Sequence, residues 1–196
     1  NNLSDKIIDE KFKRNQERYR VLHENIWLKN QNAQIITDLY FEQQESSYCG
    51  KHAINSIMQE NLFSLDYLHS LARKIEQDDT RLRKNPFTHS DLNGNFSSEV
   101  LLQALFNYGF KTRICNSSDI TRWFEYGLPV GMLLLHQPGH WVGIRRFSKD
   151  DFPIYFNSLS KPTRITNNAD LRLLFYGENN KKVHFLIISI DSIYFK

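Results

Sequence analysis

Cysteine is rare in this chain, and its rarity excludes several kinds of protein. Only Cys49 and Cys115 occur among 196 residues. A small secreted domain held together by disulfides would carry more cysteines, so we expect free thiols in a reducing compartment. A four-cysteine zinc site is impossible by count, and the seven histidines show no metal-ligand spacing. These features predict a cytoplasmic location, with the nucleus or a host cytosol as alternatives, and no bound metal.

Long apolar runs and strong net charge are also missing. The chain has no stretch of about 18 apolar residues, so nothing in it predicts a membrane span. The longest apolar segments, residues 130–136 and 185–190, have the length of strands. The net charge of +3 comes without a dense basic stripe, which argues against a nucleic-acid partner. The first residues are polar and charged, and they predict a helix rather than a secretory signal.

Residues 1–38 differ from the rest of the chain in composition, being rich in Asn, Lys, Arg and Glu. Their apolar side chains recur near helical spacing, at Ile8, Phe12, Tyr19, Leu22 and Ile26. This pattern predicts one helix over about residues 4–29, which would pack on the domain or dock a protein partner. We therefore divide the chain into an N-terminal helical extension, 1–38, and a single folded domain, 39–196.

The order of elements after residue 38 predicts an α+β fold. Three helices come first, at residues 49–61, 63–77 and 96–109, with a polar loop over 78–95. Strands follow at 111–116, 130–136, 140–147, 154–159 and 183–190, with short helices near 121–127 and 168–177. A helical subdomain followed by a mostly antiparallel sheet is the expected architecture.

The stretch QQESSYCGKHAINSIMQ, residues 43–59, places Cys49 in the first turn of a helix. The positive end of the helix dipole and nearby N–H groups favour the thiolate, which is the reactive form of cysteine. Gln44, five residues upstream, is suited to donate a hydrogen bond to an oxyanion. A lone cysteine near a helix start is more often a small buried apolar residue, and Cys115, within an apolar strand, fits that interpretation.

A thiol nucleophile needs a base and a group that orients the base. In QPGHWVGIRRF, His140 follows a Pro-Gly turn at the head of a strand, from which it could reach across a cleft. His52 ranks second, because it lies on the same helix as Cys49 and would point along it. A hairpin partner strand, IYFNSLS, would bring Asn157 beside His140, where an amide oxygen accepts from the imidazole without adding charge.

Four segments in this order, YFEQQESSYCGKHAINSIMQ, LNGNFSSEVLLQAL, GHWVGIRRF and YFNSLSKP, resemble the Josephin-domain family over residues 39–189. The resemblance implies a papain-like cysteine protease that cleaves isopeptide bonds at the C-terminus of ubiquitin and needs no cofactor. It implies Cys49 as nucleophile, His140 as base, Asn157 as its orienting residue and Gln44 as oxyanion donor. Gly139 and Trp141 would wall a channel for a Gly-Gly tail. The implied partners are ubiquitin or polyubiquitin chains.

This chain departs from the family pattern in three places. The interval from His140 to Asn157 is two residues longer, and an even insertion keeps Asn157 on the same face of the hairpin. A different register would put Leu159 in the third position. The arm between residues 72 and 95 is short, and residues 1–38 have no counterpart in the domain. The alternatives are a papain-like hydrolase for another modifier or peptide, and a non-catalytic ubiquitin-binding module.

Overall fold

The structure is a computed structural model. It describes seven parts of the chain, at residues 39–81, 89–90, 94–115, 131–136, 139–146, 152–166 and 184–189. The helix predicted within 1–38 and the short helices predicted near 121–127 and 168–177 lie outside the described residues. No described helix is both long enough and apolar enough to pass through a bilayer.

Three helices open the described domain, as the periodicity predicted: α1 at Cys49–Met58, α2 at Leu65–Arg81 and α3 at Ser98–Asn107. Serine hydroxyls begin the second and third. The Ser64 Oγ accepts from the N–H of Tyr67 at 3.2 Å, and the Ser97 Oγ accepts from the N–H of Val100 at 3.4 Å. These caps satisfy N–H groups that have no partner within the first turn of a helix.

Helix α2 runs four residues further than predicted, to Arg81. The prediction that a loop begins at residue 78 was therefore wrong. The added residues, DDTR, are polar, but they include neither proline nor glycine. The Thr80 hydroxyl donates to the carbonyl of Glu76 at 2.8 Å, one helical turn earlier. Polarity alone does not end an exposed helix, and the next proline in the sequence is Pro86.

Within the described parts of the chain, six strands form one antiparallel sheet. They are β1 (Lys111–Cys115), β2 (Gly131–His136), β3 (His140–Arg145), β4 (Ile154–Phe156), β5 (Thr163–Arg164) and β6 (His184–Ser189). Their spatial order is β1-β6-β2-β3-β4-β5, and every paired neighbour is antiparallel. The α+β class is therefore confirmed. Strand β4 stops at Phe156, three residues before the predicted end, because the chain turns at Asn157.

Close packing of α1 on the sheet brings the starts of α1 and β3 together. A Cβ on Gly143 would lie 2.7 Å from Cγ1 of Ile57, and one on Gly131 would lie 2.5 Å from Cγ2 of Ile57. Both positions therefore require glycine for the helix to approach this closely. Buried Arg145 donates to the carbonyl of Ile57 in the last turn of α1. Helix and strand run side by side in the same direction, so Cys49 meets the first residues of β3.

Candidate active site

Cys49 is the first residue of α1 and is almost completely buried, with 3% of its surface exposed. The backbone N–H of Trp141 points at its Sγ from 3.4 Å. The local sequence explains this placement: Tyr48 is the N-cap, and the next residue, Gly50, is small enough to pack against Leu101 and Trp141. Gly50 thus serves core packing at the start of α1.

His140 lies at the head of β3 and contacts two partners at once. The neighbouring Cys49 thiol raises the pKa of its side chain, and its Nε2 lies 2.9 Å from the Oδ1 of Asn157. The structure therefore brings the three predicted residues into one line, although 91 and 17 positions separate them along the sequence. Strand β3 pairs with β4, which delivers Asn157 one residue beyond the strand end.

The tautomer of His140 follows from the hydrogen bonds of Asn157, because a backbone N–H can only donate. The N–H of Leu159 donates to Oδ1 of Asn157 at 3.0 Å, so that atom is the amide oxygen. An amide oxygen cannot donate, and Nε2 of His140 must therefore carry the proton that they share. The other ring nitrogen, Nδ1, is left to face the thiol. This is the tautomer that a base for Cys49 requires.

The pKa values of the pair move towards each other. Burial opposes ionisation of Cys49, but hydrogen bonds from His140, Trp141 and Gly50 and the charge of His140 outweigh it, so the thiol pKa is lowered. The hydrogen bond to Cys49 raises the pKa of His140; burial opposes this rise, and the bond to Asn157 adds to it. Both shifts favour a thiolate beside an imidazolium, the reactive state of such pairs.

Asn157, rather than Leu159, is the residue at His140. Leu159 is 66% exposed at the tip of the turn, so the register that would place it third does not occur. Tyr155, two residues before Asn157, was not predicted as a site residue. Burial raises the pKa of the Tyr155 hydroxyl, and a hydrogen bond from the Asn157 side chain partly offsets that rise. The Asn157 amide is thus held by His140, Leu159 and Tyr155.

Gln44 lies against the same turn. Its backbone N–H donates to the carbonyl of Ser158 at 2.8 Å, and its side-chain Oε1 accepts from the Ser158 hydroxyl at 2.7 Å. Its Nε2 donates to the carbonyl of Ser46 at 2.7 Å. Gln44 is therefore a neighbour of the turn that orients His140, which places the predicted oxyanion donor on the side of the cleft where Asn157 lies.

The two proposed channel residues have different environments. Gly139, in the turn before β3, is exposed, has φ of +118°, and has open space around its α-carbon. Trp141 is 5% exposed and belongs to the core, where its indole N–H donates to the carbonyl of Phe96 at 3.1 Å. Its side chain supports the floor beside Gly50, and its backbone contacts the thiol. The channel itself stays a prediction.

His52 has a structural partner instead of a role as base. Its Nδ1 lies 2.5 Å from Oε2 of Glu42, which also accepts from Lys51 at 2.6 Å. Tyr40 and Asn55 donate to the other carboxylate oxygen. Burial would raise the pKa of Glu42, but hydrogen bonds from His52, Lys51 and Tyr40 lower it to about 2. Sequence reasoning missed Glu42, because a single acidic residue in an extended segment has no periodic signal.

Cys115 and His89 lie in other parts of the described fold. Cys115 ends β1, at the opposite side of the sheet from β4. Buried His89 bonds Ser97 at 2.9 Å and Asp79 at 3.1 Å, joining α2 to the start of α3. Within the parts of the chain that the structure describes, no three His, Cys, Asp or Glu side chains form a group that could hold a metal ion.

Comparison with known proteins gives the family of the chain. The family model described as Josephin matches residues 44–189. The ataxin-3 homolog of Caenorhabditis briggsae is 25% identical over 125 residues, which are 61% of this chain and 39% of that protein. Ataxin-3 of Homo sapiens is 25% identical over 150 residues, 69% of this chain and 41% of that protein. Josephin-2 of Mus musculus is 29% identical over 136 residues, 63% of this chain and 69% of that protein. The chain thus spans less than half the length of either ataxin-3 relative.

Proposed function

The chain belongs to the Josephin family, and on that premise we propose that it is a cysteine-type deubiquitinase that hydrolyses isopeptide or peptide bonds at the C-terminus of ubiquitin. The observation that carries the proposal is the line Cys49–His140–Asn157, with a lowered thiol pKa at one end and an oriented imidazole in the middle. A buried cysteine that served only packing would need neither.

The first half of the reaction is acyl transfer to sulfur. The Cys49 thiolate attacks the carbonyl carbon of the C-terminal glycine of ubiquitin and forms a tetrahedral intermediate. The N–H of Cys49 and the Nε2 of Gln44 donate to its oxyanion. When the intermediate collapses, the C–N bond breaks and protonated His140 gives its Nδ1 proton to the departing amine. A thioester between ubiquitin and Cys49 remains.

The second half releases ubiquitin. Neutral His140 removes a proton from water, and the resulting hydroxide attacks the thioester carbonyl. Collapse of the second tetrahedral intermediate breaks the C–S bond and restores the thiolate–imidazolium pair. Asn157 keeps its bond to Nε2 throughout, so the ring does not rotate away from the sulfur. Neither half needs an added cofactor, and a free thiolate suits a reducing, cytoplasmic compartment.

The test is reaction with ubiquitin-propargylamide, which traps an active-site thiol covalently, followed by peptide mapping. We expect one adduct on Cys49 in the wild type and none in Cys49→Ala. The matched control is Cys115→Ala, which should react at the wild-type rate. Parallel probes built on other ubiquitin-like modifiers measure the class of modifier. A folded wild type that reacts only with such a probe, or that carries the adduct on Cys115, contradicts the proposal.

A further inference from the structure

Ser158 is a buried polar residue at the cleft that the reaction itself does not use. It is 4% exposed. Two hydrogen bonds join it to Gln44, 114 positions earlier: the Ser158 carbonyl accepts from the Gln44 N–H at 2.8 Å, and the Ser158 hydroxyl donates to Gln44 Oε1 at 2.7 Å. A serine that only filled space would not need to contact both the backbone and the side chain of one residue.

The orientation of the Gln44 amide decides whether it can serve as an oxyanion donor. The oxygen and nitrogen of a carboxamide are similar in size, so their positions follow from their partners. The carbonyl of Ser46 lies 2.7 Å from Nε2. A carbonyl only accepts, so the amide nitrogen must face it, and Oε1 then faces Ser158. The Ser158 hydroxyl can satisfy Oε1 only by donating.

The backbone of Ser46 supports this arrangement. Ser46 has φ of +57°, in the left-handed region that residues with a side chain rarely adopt. In this conformation its carbonyl accepts from a side chain two residues earlier. Unfavourable backbone conformations persist where surrounding structure holds them and are concentrated at functional sites. The Ser46 carbonyl thus binds the nitrogen of the Gln44 amide, and the Ser158 hydroxyl binds its oxygen.

We propose that Ser158 is a positioning residue for the oxyanion donor: its hydroxyl, together with the Ser46 carbonyl, holds the Gln44 amide so that Nε2 is offered to the oxyanion. The amide nitrogen has two protons, and one remains after the bond to Ser46. This inference rests on the proposed function of the site. One turn then positions both the base and the oxyanion donor, because Asn157 orients His140 and Ser158 orients Gln44.

The first experiment is steady-state hydrolysis of ubiquitin-rhodamine by Ser158→Ala. We expect kcat to fall about 3- to 10-fold, which corresponds to the net contribution of one hydrogen bond. KM should not change, because the oxyanion forms only in the transition state. Ser160→Ala is the matched control, since Ser160 is exposed in the same turn and meets Asn157 through its backbone N–H. It should keep the wild-type kcat. A rise in KM with unchanged kcat would overturn the inference.

The second experiment asks whether Ser158 acts through Gln44. Gln44→Ala should lower kcat about 10²- to 10³-fold, as loss of one oxyanion donor does. In that background Ser158→Ala should cost nothing further, because no amide is left to orient. An equal fold-loss in both backgrounds would assign Ser158 a structural role and overturn the inference.

A third measurement does not depend on catalysis and separates the two proposals. In protein labelled with ¹⁵N-glutamine, the side-chain NH₂ signals of Gln44 are assigned by their loss in Gln44→Ala. We expect two well-separated, slowly exchanging protons in the wild type and a merged, fast-exchanging pair in Ser158→Ala. Signals that stay the same in both overturn the positioning role. A folded wild type that does not hydrolyse ubiquitin-rhodamine refutes the proposed function, and the NMR result then decides the positioning role alone.

Discussion

The amide oxygen of Asn157 accepts from two donors, the Nε2 of His140 and the backbone N–H of Leu159. The second bond fixes the turn, and the first fixes the ring. Asn157→Ala should therefore lower kcat by about 10- to 1000-fold, as loss of an orienting group does, because the imidazole is then free to rotate. Hydrolysis of ubiquitin-rhodamine measures this loss.

Leu159→Ala is the matched control for that variant. A buried leucine would cost about 2–5 kcal/mol on truncation, but Leu159 is 66% exposed. We expect its kcat and its free energy of unfolding to stay near those of the wild type. Full activity in Asn157→Ala, or a loss in Leu159→Ala as large as that in Asn157→Ala, would contradict the role of the amide.

The lowered pKa of Cys49 predicts a specific pH dependence of alkylation. Only the thiolate reacts with iodoacetamide, so the rate falls as pH drops through the thiol pKa. That pKa is lowered, so Cys49 should keep reacting below the usual thiol range near pH 8.5. The rate is measured by mass spectrometry of the Cys49 peptide from about pH 4 to 9, which covers the thiol range.

His140→Ala supplies the control for this profile. It removes the hydrogen bond and the charge that oppose the effect of burial, so the inflection should move to higher pH. The Cys115 peptide, read in the same digests, reports any general effect of the substitution. An inflection that does not move in His140→Ala would mean that the imidazole is not what stabilises the thiolate.

The site residues divide into those that sequence could predict and those that it could not. Asn157 was accessible, because the strand pattern and the even insertion keep it on the face of His140. Ser158 and Tyr155 were not, since their importance comes from hydrogen bonds across 114 positions and to a neighbouring side chain. Asn157 belongs to a short motif on a predicted strand, whereas Ser158 and Tyr155 act through contacts that no residue type or spacing in the sequence indicates.

At the scale of elements, Glu42 joins the extended segment before α1 to the helix itself. Its carboxylate accepts from Lys51, His52 and Asn55 on α1. Gln44 lies two residues further along this segment, and Cys49 begins the helix. Glu42 therefore links the elements that bear the donor and the nucleophile, with a pKa of about 2 against an ordinary 4.5.

A folded-state pKa below the unfolded value stabilises the protein above the unfolded value and ceases to do so as pH falls through the folded one. The contribution of Glu42 should thus be fully present above pH 4.5 and disappear towards pH 2. Glu42→Gln should be less stable than the wild type at neutral pH, and the difference should shrink across that window. Urea unfolding at several pH values measures it.

Glu45→Gln is the control for this titration, because Glu45 is exposed in the same segment. Its free energy of unfolding at neutral pH should stay near that of the wild type. A difference for Glu42→Gln that stays constant down to pH 2 would mean that its carboxylate does not titrate with the shift described.

The elements themselves were predictable where a period or a cap marked them. Ser64 and Ser97 cap the starts of α2 and α3. The predicted ends of α2 and β4 were wrong, because individual side chains set them. Helix α2 continues through DDTR, and β4 stops where the amide oxygen of Asn157 accepts from the N–H of Leu159. Local hydrogen bonding of this kind competes with regular structure and leaves the hydrophobic pattern unchanged.

At the scale of the whole molecule, the cleft exists because α1 and the sheet meet at one end. The helix contributes Cys49, and β3 and the turn after β4 contribute His140 and Asn157. The glycines at positions 131 and 143 let Ile57 approach the sheet. The order of elements predicted this division into a helical part and a sheet. The contact that aligns their ends could not be predicted, because it depends on the fit of one side chain between two strands.

Residues 1–38 lie outside the described residues, so their role is tested by deletion. The contacts of the first described residues set the point of truncation. Leu39 and Phe41 pack against Ile154 and Phe156, and the N–H of Tyr40 donates to Gln59 at 3.0 Å. Deletion of 1–38 therefore leaves these contacts intact. Since the segment bears one predicted apolar stripe and lies outside the Josephin match, we expect it to alter the binding of ubiquitin rather than the chemistry.

The truncated and full chains should then hydrolyse ubiquitin-rhodamine with similar kcat and differ in KM, or differ in their preference among ubiquitin chains. Thermal melting of both chains provides the control for folding. Loss of cooperative melting would make the segment a structural helix of the domain. A fall in kcat alone, with melting unchanged, would mean that the segment reaches the catalytic line, because a binding element contributes equally to the ground state and the transition state and leaves kcat unchanged.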